Sequence, residues 1–184
     1  TNVLLFDGRV ETPEFTKAYD EAVERVRRNL GKTHPCLIGG KEVPAKESFP
    51  DTSPADTRVV LGRFASGTRE DARQAIAAAR KAYDEVWRRT HWRERIACVR
   101  KTAAAIEKHR FDIAAILSLE VGKNRLEAMG DVQETADLMS YYCDQVEEHA
   151  GYEMPMRRLS DKEDNRDVLR PYGVWVIISP FNFP

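Results

Sequence analysis

Apolar residues at three- and four-residue spacing dominate the chain and predict a largely helical framework. Phe15, Tyr19, Ala22, Val23, Val26 and Leu30 form the first such stripe. Thr12-Pro13-Glu14 marks its start, with a hydroxyl to cap, proline at the first helical position and an acid where the helix dipole favours one. Gly31 marks its stop, and Arg25, Arg27 and Arg28 read as its solvated face. A longer helix is expected from Thr68, where Asp71 completes a capping pattern, with Ala72, Ala75, Ile76, Ala79, Tyr83, Val86 and Trp87 as one buried stripe. Another starts near Trp92 and carries Ile96, Val99, Ala103 and Ile106; Phe111 to Val121 follows as a further piece ended by Gly122. Met129, Val132, Ala136, Met139, Cys143 and Val146 then define a helix whose spacing suits packing against a neighbouring helix.

Shorter stretches break this rhythm. Leu37-Ile38-Gly39-Gly40-Lys41-Glu42-Val43 predicts a hairpin, because tight hairpin turns need positive φ. Ser53-Pro54-Ala55-Asp56-Thr57 predicts a turn before a short strand over Arg58 to Phe64, with Val59, Leu61 and Phe64 as its candidates for burial. Gly151 to Asp167 is rich in charge and reads as a solvent-reaching hairpin, flanked by Tyr152 and Met154 on one side and Val168 and Leu169 on the other.

The stretch Val174-Trp175-Val176-Ile177-Ile178 is a continuous apolar run entered through Gly173 and broken at Ser179-Pro180. Such a run predicts a strand covered on both faces, as in a parallel sheet. Ligands in such sheets gather at strand C-terminal ends, so Asn182 is a candidate for chemistry. It is equally a turn residue between Pro180 and Pro184. A parallel strand needs neighbours, and nothing else in the chain is comparably apolar, so the expectation is that these residues are part of a longer polypeptide.

Composition narrows the picture. Net charge is -1 with 32% charged residues, an ordinary surface that gives nucleic acid and anionic lipid no basic patch to bind. No run is long enough to span a membrane, and Thr1, Asn2 and Asp7 make a polar start without a signal-peptide pattern. Cys36, Cys98 and Cys143 share no disulfide or metal spacing, and they read as small buried hydrophobes in a reducing compartment. His34, His91, His109 and His149 show no ligand spacing, so no metal is assigned. The expectation is a soluble, cytoplasmic protein, or a mitochondrial matrix protein if eukaryotic.

Arg170-Pro171-Tyr172-Gly173-Val174-Trp175-Val176-Ile177-Ile178-Ser179-Pro180-Phe181-Asn182-Phe183-Pro184 resembles the segment of the aldehyde dehydrogenase superfamily that opens the cofactor-binding domain. Ile38-Gly39-Gly40, the helix from Thr68 to Trp87, and Glu120-Val121-Gly122-Lys123 before Glu127-Ala128 stand in the matching order. The long helical arm before Ile38, the form of Glu120 to Asn124, and Phe181 in place of tryptophan are similar to the 1-pyrroline-5-carboxylate dehydrogenase subfamily. The resemblance implies an α/β fold: a helical arm over residues 1–36, the N-terminal part of an NAD-binding domain over 37–150, an oligomerisation hairpin over 151–170, and the first strand of a Rossmann-like parallel sheet over 171–184.

It also implies an activity, NAD-dependent oxidation of L-glutamate γ-semialdehyde to L-glutamate in proline breakdown, with NADP left open. Asn182 would donate to the substrate oxyanion. Ile178, Ser179, Pro180 and Phe181 would meet the cofactor, largely through backbone. Phe183 would lie beside the aldehyde, a plain core phenylalanine being the other reading. Glu120 would approach the amino-acid end of the substrate, or else pair with Lys123 three residues on. The partners implied are a small aldehyde and further copies of the chain. The family's nucleophilic cysteine and its glutamates match none of the contexts of Cys36, Cys98 and Cys143, so these 184 residues alone are expected to be inactive. Two alternatives stand beside this reading: an aldehyde dehydrogenase for a substrate without the amino-acid end, and a non-catalytic helical interaction module.

Overall fold

The computed structural model describes residues 12–183; the first eleven residues of the expected arm, and Pro184, lie outside them. Helix α1 runs Pro13–Arg27, capped by Thr12, whose hydroxyl accepts the Phe15 N–H at 3.2 Å. It ends one turn earlier than Gly31 suggested. The Asn29 amide donates to the Arg25 carbonyl, and the Gly31 N–H donates to Leu61 at 2.9 Å, so the glycine docks the arm on a strand.

The strands that follow are short: β1 Lys32–His34, β2 Cys36–Ile38, β3 Lys41–Val43, β4 Ser48–Thr52 and β5 Val60–Ala65. β2 and β3 form the expected hairpin, with Gly39 and Gly40 at φ 58° and 75°. β5 lies between β1, which runs parallel to it, and β4, which runs antiparallel with a bulge at Asp51/Thr52. That parallel pairing sets Lys32 opposite Gly62, across the β2–β3 hairpin and β4, and neither strand has a periodicity that announces it.

Helices α2 Arg69–Glu85, α3 Trp92–Lys108, α4 Arg110–Val121 and α5 Arg125–Glu148 make up most of the remainder. The capping box of Thr68 and Asp71 is formed, and Asn124 with Glu127 makes a second one at the head of α5. One core lies between α1, α4 and α5: Tyr19, Ala22 and Val26 meet Ala114, Ala115, Leu117, Ala128 and Val132. The run of alanines lets these helices approach closely. A second core between α3 and α5 holds Trp92, Ile96 and Cys143. The stripe read on α5 faces both cores, with Val132, Ala136 and Cys143 buried.

Two expectations need correction. The α2 stripe is not buried: no residue of the helix is, and Ile76 and Val86 are 52% and 62% exposed. Periodicity fixes which face is apolar but not whether an element covers it. Cys98 is exposed on α3, and only Cys143 of the three cysteines is buried. Val174 to Ile178, expected as a strand whose neighbours these residues do not supply, has no ladder partner among the described residues, and Ile178 is 87% exposed. An apolar run specifies a demand for cover, whereas a strand exists only where a neighbour takes up its peptide hydrogen bonds. Beyond α5, β6 Glu153–Pro155 pairs antiparallel with β7 Arg166–Val168, the charged hairpin expected there.

Candidate active site

The stretch singled out by sequence crosses the surface between two attachment points. At its start, the Tyr83 hydroxyl donates to the Pro171 carbonyl at 2.8 Å. At its end, the Phe183 N–H donates to the Pro180 carbonyl at 3.1 Å and closes a turn with Phe181 and Asn182 at its tip. Asn182 is exposed there, free to offer its amide N–H groups. Its turn geometry and a donor role are therefore compatible readings of the same residue.

Ile178, Ser179, Pro180 and Phe181 are exposed as well, with Phe181 at 91%. Among the described residues, the N–H groups of Ile178, Ser179 and Phe181 meet no protein acceptor. Exposed, unpaired peptide groups suit a ligand held through backbone, and in that respect the segment fits a cofactor such as NAD.

Phe183 turns back onto the helices and lines a cavity of about 270 Å³ with Ile113, Leu117, Asp131, Glu134 and Leu138 among its walls. Lys123 holds its ammonium 3.8 Å from the centre of the Phe183 ring and pairs with Asp131. Lys123 pairs with Asp131 and not with Glu120, which sets aside the alternative of a Glu120–Lys123 pair.

Glu120 itself lies in a different cavity, of about 490 Å³, between α1, α4 and the small sheet. Its walls include Asp51, His34 and Ile116. Burial, and secondarily the Asp51 carboxylate, push the Glu120 pKa upward. The structure therefore brings Phe183, the neighbour of Asn182, together with Glu134 and not with Glu120. Nothing in the sequence marks Glu134, which reads as one more polar residue on α5.

The thiols lie elsewhere. Cys143 donates to the Ile96 carbonyl at 3.7 Å in the second core, and burial pushes its pKa up, which disfavours the thiolate. Cys36 is half-buried in β2 and Cys98 is exposed on α3. No group of three or more His, Cys, Asp or Glu side chains among the described residues is placed to hold a metal, and no described helix is long and apolar enough to cross a membrane.

Comparison with known proteins adds the context that these residues lack. The 1-pyrroline-5-carboxylate dehydrogenase 2 of Bacillus subtilis is 37% identical over 167 residues, which are 91% of this chain and 32% of that protein. The structure of 1-pyrroline-5-carboxylate dehydrogenase from Thermus with bound NAD superposes with a TM-score of 0.87 at 33% identity, covering 96% of this chain and 34% of that one. Betaine aldehyde dehydrogenase of Staphylococcus aureus, in complex with NAD+, matches at a TM-score of 0.77 and 25% identity, over 90% of this chain and 32% of its own. The chain thus spans about a third of the length of the relatives it matches. The profile of the aldehyde dehydrogenase family matches residues 42–184, from the β2–β3 hairpin to the turn that carries Asn182. The chain belongs to the aldehyde dehydrogenase family, and it has that family's fold.

Proposed function

We propose that these residues are the N-terminal third of an NAD-dependent dehydrogenase that oxidises L-glutamate γ-semialdehyde to L-glutamate. The observation that carries the reading is the cavity that Phe183 shares with Glu134, one residue away from the exposed amide of Asn182. Supporting it, 1-pyrroline-5-carboxylate dehydrogenases recur among the relatives, at 37% and 35% identity for two from Bacillus.

In this reading Asn182 donates a hydrogen bond to the oxygen of the aldehyde as negative charge develops on it. A neutral donor stabilises that charge without holding a carboxylate product by an ion pair. Phe183 provides an apolar wall beside the reacting carbon. Glu134, exposed at the edge of that cavity, faces the substrate's ammonium group, which its negative charge attracts. Glu134 is preferred over Glu120 because Glu120 faces the other cavity. The peptide groups of Ile178 to Phe181 hold NAD, which when bound supplies the hydride acceptor. The nucleophile is not Cys36, Cys98 or Cys143: the first lies in β2, the second on the outer face of α3 and the third in the core. It comes from residues outside this chain, so the 184 residues by themselves do not turn over. The β6–β7 hairpin joins copies of the enzyme to one another.

The test is NAD reduction by the full-length enzyme with glutamate γ-semialdehyde and with an aliphatic aldehyde of similar length. Preference for the former, reduced in Glu134→Ala, is the expected result. Equal turnover of the two aldehydes would favour a dehydrogenase for substrates without the amino-acid end. Sustained NAD reduction by the isolated 184 residues would overturn the assignment of the nucleophile.

A further inference from the structure

We propose that Lys123, held by Asp131, is a positioning residue that fixes the turn carrying Asn182; the proposal rests on the reading of Asn182 as an oxyanion donor. The backbone of Lys123 is immobilised on both sides. Gly122 before it ends α4 at φ 73°, and Asn124 after it caps α5 through a reciprocal pair of hydrogen bonds with Glu127. The lysine side chain is only 14% exposed, which is unusual for a group that prefers water, and a charge so placed needs partners. It has two. One is the Asp131 carboxylate, projecting from the second turn of α5. The other is the face of the Phe183 ring, 3.8 Å away, where the negative quadrupole of an aromatic ring attracts a cation.

That second contact is what couples the lysine to the site. The span from the Tyr83–Pro171 bond to Phe183 carries Asn182. Phe183 is the end of that span that meets α4 and α5. Its own N–H closes the turn onto Pro180, so a ring held by Lys123 ties down the backbone next to Asn182. Lys123 and Asp131 therefore set where the Asn182 amide points, although neither needs to touch the substrate. Displacing a catalytic donor by about 1 Å costs up to about 100-fold in rate, so even a partial loss of this anchor should be visible.

A test without activity reads the NMR signals of the full-length enzyme. Stacking over Phe183 predicts that the ε-methylene protons of Lys123 resonate upfield of an exposed lysine and return to ordinary values in Phe183→Leu. The backbone and side-chain amide signals of Asn182 should move in Lys123→Met, which keeps the apolar stem and removes the charge, and should return towards their original positions in Lys123→Arg. Asp131→Asn, which frees the lysine without deleting it, should move the same signals and serves if Lys123→Met folds poorly. In the full-length enzyme Lys123→Met should lower kcat about tenfold or more with the aldehyde KM changed less than about twofold, and Lys123→Arg should recover most of the loss. Unmoved Asn182 signals, or an unchanged kcat in Lys123→Met alongside a crippled Asn182→Ala, would overturn the positioning role while leaving Asn182 its function. An Asn182→Ala enzyme as active as the parent would overturn both.

Discussion

Tyr19 donates its hydroxyl hydrogen to the carbonyl oxygen of Ala114 at 2.9 Å, across 95 positions of sequence, and also meets the Ser118 hydroxyl at 2.7 Å. With the ring 1% exposed, this polar tie lies inside the core that joins α1 to α4. Burial raises the Tyr19 pKa, opposed by the Ser118 hydrogen bond and then by Arg125, so the phenol remains a donor through the neutral range. Tyr19→Phe keeps the shape and leaves two polar groups without it. The expected loss is about 1–2 kcal/mol in urea unfolding. An unchanged midpoint would mean that the arm is held by its apolar contacts alone.

The junction after α5 is tight enough to specify glycine. Ala150, Gly151 and Tyr152 all have positive φ, and a Cβ on Gly151 would fall within the Trp92 indole. Gly151→Ala must move either the backbone or a buried aromatic side chain, at an expected cost of about 2–4 kcal/mol. The tryptophan fluorescence of the folded state should change with it. A substitution that left both stability and the emission spectrum intact would contradict the packing described for α3 and the hairpin base.

Glu120 gives the fold a pH dependence of known sign. Its pKa is raised in the folded state, first by burial and then by Asp51, relative to the ordinary value of 4.5. The folded state therefore holds the proton more tightly than the unfolded chain. The resulting stability is fully present below the ordinary carboxylate value and is lost as pH rises through the raised one. In Glu120→Gln the loss over that window should shrink, so that the variant gains on the parent as pH rises from about 4.5 towards neutrality. Parallel stability curves for the two proteins would show that Glu120 ionises as freely as an exposed acid.

Much of this architecture was legible because it is set by local chemistry. Thr12 and Thr68 cap helices because a hydroxyl satisfies N–H groups that the helix leaves open, whatever lies around it. Gly39-Gly40 turns a hairpin for an equally local reason. The misses concern partners. The α2 stripe and Val174 to Ile178 both declare an apolar surface, yet whether it is covered depends on residues that the sequence pattern does not identify. The site divides in the same way. Asn182 stood out through its position after an apolar run, whereas Glu134 became visible only when folding brought α5 against Phe183. Lys123 looked like a partner for Glu120 by spacing, but the turn at Gly122 breaks the helix between them and redirects it to Asp131.

The account turns on Asn182 as the donor that meets the developing oxyanion, and turnover by the full-length enzyme with Asn182→Ala tests this most directly. With glutamate γ-semialdehyde and NAD, kcat should fall about 10²- to 10³-fold while the variant keeps the parent's unfolding midpoint, because the residue is exposed at the tip of a turn. A kcat within about twofold of the parent would contradict the assignment and leave Asn182 as a turn residue only.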